Sequence, residues 1–265
     1  MKKLYNAYSK SSIKLSKFLS YYFKGKIHDG YCPICESQVF FIIKEDWLRD
    51  FYYCLQCNSI PRQRAIIVAL NLFYPEWRKL KIHESSPSGI SSDFIQTNCP
   101  EYVATHFFQD TPLGDYKHGI RCENLENMTL ADSSFDLIIT QDVFEHVINP
   151  SAAFTEISRV LKPGGAHIFT MPWYPQMKKS LQRARLVNNE IEHLVEPIYH
   201  GNPIDKKGSL VTFDWGIDFT DYIYTHSGMS TTIYLIKDKK MGLEADFLEV
   251  FVSRKLIDKV LSKTL

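Results

Sequence analysis

Two cysteine pairs, Cys32-Pro33-Ile34-Cys35 and Cys54-Leu55-Gln56-Cys57, constrain the first quarter of this chain more than any other feature. Each pair sets two thiolates on a tight knuckle, and two knuckles supply the four ligands that tetrahedral zinc prefers. A metal there would offset the small core of a module of about 30 residues. A closed all-thiolate site keeps no open coordination position, so the expected Zn2+ is structural rather than catalytic. Four free thiols beside a small strand pair is the competing reading. The spacing matches no ferredoxin-type iron–sulfur run.

The chain has 265 residues, enough for one α/β domain and a small appendage. Of its six cysteines, Cys99 and Cys122 stand alone, and the pattern suits a reduced compartment and a metal better than disulfides. The formal net charge of +1 supplies no general field for a polyanion, which argues against nucleic acid as the main partner. Residues 1–26 read as a basic amphipathic helix, with Leu4, Tyr8, Ile13, Phe18 and Tyr22 on one side. Lys10, Lys14 and Lys17 interrupt its apolar residues, so it is expected to be neither a secretory leader nor a spanning segment. Two roles stay open for it: packing on this protein or a partner subunit, and peripheral contact with an anionic membrane. The expected location is cytoplasmic.

Residues 27–61 are assigned to the four-cysteine module. Within it, Val39 to Ile43 and Phe51 to Tyr53 read as two short antiparallel strands. Residues 62–265 are assigned to the larger domain, opening with a helix over 62–78. Strands are expected at Leu80–His83, Tyr102–Phe107, Gly119–Cys122, Phe135–Thr140 and Ala166–Met171. A helix is expected over 150–161, stopped by Pro163-Gly164-Gly165. This alternation implies a doubly wound, Rossmann-like α/β sheet with ligands at the strands' carboxyl ends. A polar, aromatic and proline-rich insertion over 172–216 breaks the rhythm. A helix over 217–228 and strands at Thr231–Ile236 and Phe247–Val252 are expected to close the domain.

Residues 79–255 resemble the class I S-adenosylmethionine-dependent methyltransferases. The likeness rests most on Ser134 to Val147, on Glu156-Ile157 and on Arg159 to Gly165. It implies a nucleoside cofactor, S-adenosylmethionine, at the strands' carboxyl ends. Glu84 takes the place of the strand-one acid, followed by Ser85, Ser86, Pro87, Ser88 and Gly89 where the family has a glycine-rich loop. His106 stands where the ribose acid would be. Asn124 falls at the place of the residue that meets adenine, and Gln141 at the place facing the methionine moiety.

The stretch from Glu196 to Asp218 is similar, more loosely, to an insertion in bacterial methyltransferases that accompany polysaccharide biosynthesis. A small-molecule or glycan acceptor is therefore expected. His200, His146 and Asp214 are candidate general bases, in that order. Trp173, Tyr174, Tyr199 and Trp215 are candidate stacking surfaces for a sugar. Asp142 and Glu145 either line the acceptor pocket or cap the helix that begins near Asn149. Two alternatives stay open. One is an RNA base methyltransferase, with Arg62, Arg64 and Lys79 reaching phosphate. The other is an inactive scaffold with a decayed cofactor loop.

Overall fold

The computed structural model describes residues 15–17, 21, 24–201 and 208–257. The helix expected over 1–26 thus lies almost wholly outside the described residues. Residues 15–17 and Tyr21 are helical, and the chain is already extended at Lys26. Two compact units divide the protein. The first draws on residues 1–75, 88–95 and 235–250; the second on 76–87, 96–234 and 251–265.

The first unit holds an antiparallel sheet of β1 (Lys26–Cys32), β2 (Ser37–Ile43) and β3 (Tyr52–Cys54), in that order. The two expected strands are β2 and β3; β1 is an addition. The cysteines sit where strands turn. Cys32 ends β1, Cys54 ends β3, and the residue after each second cysteine is left-handed, with Glu36 at φ 51° and Asn58 at φ 61°. The helix Pro61–Phe73 follows, with proline at its first position, where no backbone donor is lost. Its Arg64 is fully buried. The guanidinium donates to the carbonyls of Ser59, of Tyr52 at 3.1 Å and of Gly242 at 2.6 Å, and lies 4.8 Å from the centre of the Phe41 ring. Carbonyl dipoles and aromatic faces thus replace the water that a buried cation gives up.

The second unit is built on β4 (Ile82–Ser85), β5 (Tyr102–His106), β6 (Tyr116–Lys117), β7 (Ile120–Cys122), β8 (Phe135–Gln141) and β9 (Leu161–Thr170). Among the described residues these form an eight-stranded sheet with two later strands, β16 (Ser230–Tyr234) and β17 (Val250–Arg254). The strand order is β16-β17-β9-β8-β4-β5-β7-β6. Neighbours from β7 through β5, β4 and β8 to β9 run parallel; β17 against β9 and β6 against β7 run antiparallel. After β4 the chain builds outward through β5 and β7, then returns to lay β8 on the other flank of β4. The topological switch point therefore lies between β4 and β8.

Strand β8 is buried along nearly its whole length, as befits a strand covered on both faces. The helix Pro150–Val160 is capped by Asn149, whose Oδ1 accepts from the Ala152 N–H at 3.3 Å, so neither Asp142 nor Glu145 is its cap. Pro163-Gly164-Gly165 does not follow the helix as a separate stop. The chain turns extended at Leu161, and all three residues lie inside β9. The insertion folds into three small antiparallel pairs: β10 (Leu181–Gln182) with β15 (Phe213–Asp214), β11 (Ala184–Val187) with β12 (Glu190–His193), and β13 (Tyr199–His200) with β14 (Ser209–Leu210). Beneath them lies an aromatic core. Phe144 stacks on Phe154 with ring centres 4.1 Å apart, and Phe213 stacks on Trp215 at 4.9 Å.

Candidate functional site

The four cysteine sulfurs converge. Cys32 Sγ and Cys57 Sγ are 3.8 Å apart, as are Cys35 Sγ and Cys54 Sγ, and all four lie within 4.8 Å of one another without a disulfide. A tetrahedron with zinc–sulfur bonds of about 2.3 Å has edges of about 3.8 Å, so the donor set fits that ion. The Cys35 N–H points at Cys32 Sγ at 3.5 Å, and Ser59 Oγ lies 3.1 Å from Cys57 Sγ. Such contacts orient the sulfurs and spread their charge.

At the switch point, Glu84 is fully buried as the next-to-last residue of β4. Its Oε2 accepts from the Tyr102 hydroxyl at 2.7 Å and its Oε1 from Gln141 Nε2 at 2.8 Å. Three adjacent strands thus hold one carboxylate. Gln141 ends β8 as expected, but its amide nitrogen is turned toward Glu84. Ser85 is buried at the end of β4. Ser86 follows at φ 58°, its N–H donating to the Thr105 carbonyl at 2.8 Å. On the far side of the switch point Asp142 follows β8 at φ 52°, and Thr170 Oγ1 donates to its carboxylate at 3.0 Å. Left-handed backbone at a non-glycine residue carries a cost. Here it falls directly after both strands that flank the crevice.

His106 ends β5 and is partly buried. Burial lowers its pKa below the ordinary histidine value, against the opposing effect of a hydrogen bond to the Pro87 backbone. Asn124 lies just beyond β7, and its Oδ1 accepts from the Glu126 N–H at 3.0 Å, which holds the loop in an Asx-type turn. Gly89 belongs to the first unit, at φ 78°, where a Cβ would stand 2.2 Å from Gln63 Nε2.

Between the segment after β8 and the insertion, the structure brings His146 and His200 together, their rings perpendicular with centres 5.4 Å apart. Burial lowers the His146 pKa, and the neighbouring His200 lowers it further, while a hydrogen bond to the Leu210 carbonyl at 2.8 Å works the other way. Glu145 is buried beside them, with Oε1 3.8 Å from His146 Nε2. Asp214 is engaged elsewhere, in an ion pair with Arg183 at 2.6 Å. Tyr199 is exposed, but Trp215 is only 1% exposed and donates from Nε1 to the Phe144 carbonyl at 3.1 Å. Trp215 is a core residue, not a stacking surface. Sequence reasoning missed Tyr102 and the Leu210 carbonyl, because neither a strand tyrosine nor a backbone oxygen carries a motif.

Residues 96–169 match the family model described as a methyltransferase domain, and the strand order with its switch point between β4 and β8 agrees with that assignment. Over that stretch the chain resembles a methyltransferase domain. The chain shares 26% identity over 107 residues with a glycine/sarcosine/dimethylglycine N-methyltransferase of Actinopolyspora halophila, a stretch that is 40% of this chain and 18% of that protein. It shares 35% identity over 54 residues with a ubiquinone biosynthesis O-methyltransferase of Maricaulis maris (strain MCS10), 20% of either chain. The chain therefore spans about a fifth of the length of these curated relatives. A solved amino pentose methyltransferase from Micromonospora echinaspora, with S-adenosylmethionine bound, overlies 74% of this chain and 92% of its own at 14% identity and a TM-score of 0.47. Likeness at this level names no acceptor. Among the described residues no helix is long and apolar enough to cross a membrane.

Proposed function

We propose that this protein is an enzyme that transfers a methyl group from S-adenosylmethionine to a hydroxyl of a sugar or polysaccharide-related acceptor. The observation that carries the reading is the switch-point carboxylate of Glu84, held by Tyr102 and Gln141 next to the left-handed Ser86. A buried acid at the carboxyl end of the first parallel strand, followed at once by a tight turn, suits a cationic nucleoside at the crevice. Ser85 and Ser86 would replace glycine contacts to the methionine moiety, His106 would meet the ribose, and Asn124 the adenine edge. When bound, S-adenosylmethionine supplies an electrophilic methyl group. Transfer of that methyl to an acceptor oxygen would leave the carbon–sulfur electron pair on sulfur and release the hydroxyl's proton, which this chain's residues would have to take up or pass on.

The chain's own contribution is positioning and proton handling. His200 and His146 stand together on the insertion side, so they are the groups assigned to the acceptor's proton. Asp214, bound to Arg183, serves the shape of the insertion. A sugar acceptor is supported by the polar insertion and the exposed Tyr199 ring. The cysteine cluster is assigned a structural Zn2+. The RNA reading gains nothing from the residues offered for it: Arg62 pairs with Asp50, Lys79 pairs with Glu76, and Arg64 is buried. The test is calorimetric titration with S-adenosylmethionine and S-adenosylhomocysteine, followed by transfer of labelled methyl to a panel of sugar-linked acceptors. Saturable binding and label in a sugar product are expected. A folded, zinc-loaded protein that binds neither ligand would overturn the reading.

A further inference from the structure

Glu145, His146 and His200 each offer one ligand atom, and these atoms lie within 4.8 Å of one another. The carboxylate and the nearer imidazole are not bonded to each other, since 3.8 Å between Glu145 Oε1 and His146 Nε2 exceeds a hydrogen bond. An ion about 2.0–2.2 Å from each atom would bridge that gap. The tautomer suits such an ion. Only an N–H can bond a carbonyl, so the 2.8 Å contact from His146 Nδ1 to the Leu210 oxygen puts the proton on Nδ1 and leaves the Nε2 lone pair facing Glu145. A backbone carbonyl behind one ring nitrogen is the usual support of a metal-bound histidine.

The frame around the three residues is stiff. The Thr212 N–H donates to the Glu145 carbonyl at 2.7 Å, Thr212 Oγ1 to the Val147 carbonyl at 2.7 Å and Trp215 Nε1 to the Phe144 carbonyl at 3.1 Å. His200 comes from β13, which pairs with β14, the strand that also supplies the Leu210 carbonyl. Glu145 is buried, His146 mostly so, and His200 exposed, so the cluster opens on one side. Three protein ligands and an open face describe a site that keeps positions for a substrate or water.

We propose that Glu145, His146 and His200 bind a divalent first-row transition ion through one carboxylate and two imidazoles. The imidazole-rich donor set favours zinc, cobalt or nickel over magnesium or calcium. Its use, which rests on the methyl-transfer reading, is to take the acceptor's oxygen at the open face and weaken its O–H bond. With the ion in place the two imidazoles no longer take the acceptor's proton directly, as they would without it; they act through the ion, and the proton passes to water at the open face.

The experiment is cobalt and zinc titration of the full chain, stripped of metal and followed by metal content per chain and by the visible cobalt spectrum. His200→Ala and His146→Ala are expected to carry one ion fewer than the wild type and to lose cobalt d–d intensity. The sulfur-to-cobalt charge-transfer band of the cysteine cluster should stay intact in both. His200→Ala, being exposed, should melt with the wild type, which separates ligand loss from misfolding. Equal metal content in wild type and both variants across the titration would overturn the site. Methyl transfer that persists without this ion would overturn its role and leave the function standing. A second ion bound by a chain that takes no S-adenosylmethionine would leave the site standing and remove the function.

Discussion

Gln141 donates from Nε2 to Glu84 Oε1 at 2.8 Å and so ties the carboxyl end of β8 to that of β4. With the Tyr102 hydroxyl on the other oxygen, both acceptor atoms of a buried carboxylate face donors. Glu84→Gln replaces a charged acceptor with a neutral amide whose N–H₂ either opposes the Gln141 donor or makes the Tyr102 hydroxyl turn and accept, so at least one charge-assisted hydrogen bond is weakened. The expected cost is about 1–3 kcal/mol, read as a lower denaturation midpoint. S-adenosylmethionine affinity should fall about tenfold or more, in line with about 1.4 kcal/mol per decade. Unchanged affinity by calorimetry would separate Glu84 from the cofactor.

Cys54→Ser removes one of four converging sulfurs. Cys54 is fully buried, and the oxygen is a poorer ligand that reaches less far. Zinc content per chain should fall at the cysteine cluster, and the melting temperature should drop with it. The far-ultraviolet dichroism of the second unit's sheet should persist at low temperature. A variant that keeps its full zinc content would show that the four cysteines do not act as one site.

Glu156 gives the fold a pH dependence of known sign. Hydrogen bonds from Arg159, at 2.8 Å to each carboxylate oxygen, hold its pKa below the ordinary value, burial opposes this, and the Met128 N–H at 2.8 Å adds to it. Because the folded value is depressed, the stabilisation is complete above the ordinary carboxylate value of about 4.3 and fades as pH falls through the folded one. Glu156→Gln should lower the urea midpoint at pH 7, and the gap from wild type should close below about pH 4. A gap that stays constant with pH would contradict this.

Gly30 in β1 stands so close to the Lys240 backbone that a Cβ would lie 2.1 Å from its carbonyl oxygen. Neither backbone can yield as a side chain does. Gly30→Ala should cost about 1–3 kcal/mol through overpacking, measured as a shift of the urea midpoint at unchanged slope. A variant as stable as wild type would mean that Lys240 is free to move away.

The parallel core was legible above all from Phe135 to Gln141, a nearly continuous apolar run followed by turn residues, and from the alternation of short strands with helices around it. The positions of Glu84, His106 and Gln141 were legible for a related reason: they lie at the carboxyl ends of strands, and strand ends can be read. Strand β1 was not. Lys26, His28, Asp29 and Gly30 give it no apolar alternation, and only its pairing with Ile43, Phe41, Phe40 and Val39 makes it a strand. Pro163-Gly164-Gly165 read as a break because proline and glycine end helices, yet an edge-like start of a strand tolerates them too. Trp215 was misjudged because an aromatic ring in a polar segment looks the same whether it stacks on a ligand or on Phe213. The meeting of His146 and His200 rests on the pairing of β13 with β14, a long-range fact that no local pattern carries.

Arg64 has as one of its acceptors the carbonyl of Gly242, 178 positions further along the chain. During synthesis the ribosome delivers the four thiols early and the peptide that completes their unit late. The nascent cysteine knuckles must wait for nearly the whole second unit to emerge before their buried arginine finds that partner. A fragment cut after residue 75 would reproduce the motif but not the folded object. Any transplant of this module onto another enzyme would have to carry two distant pieces of chain rather than one.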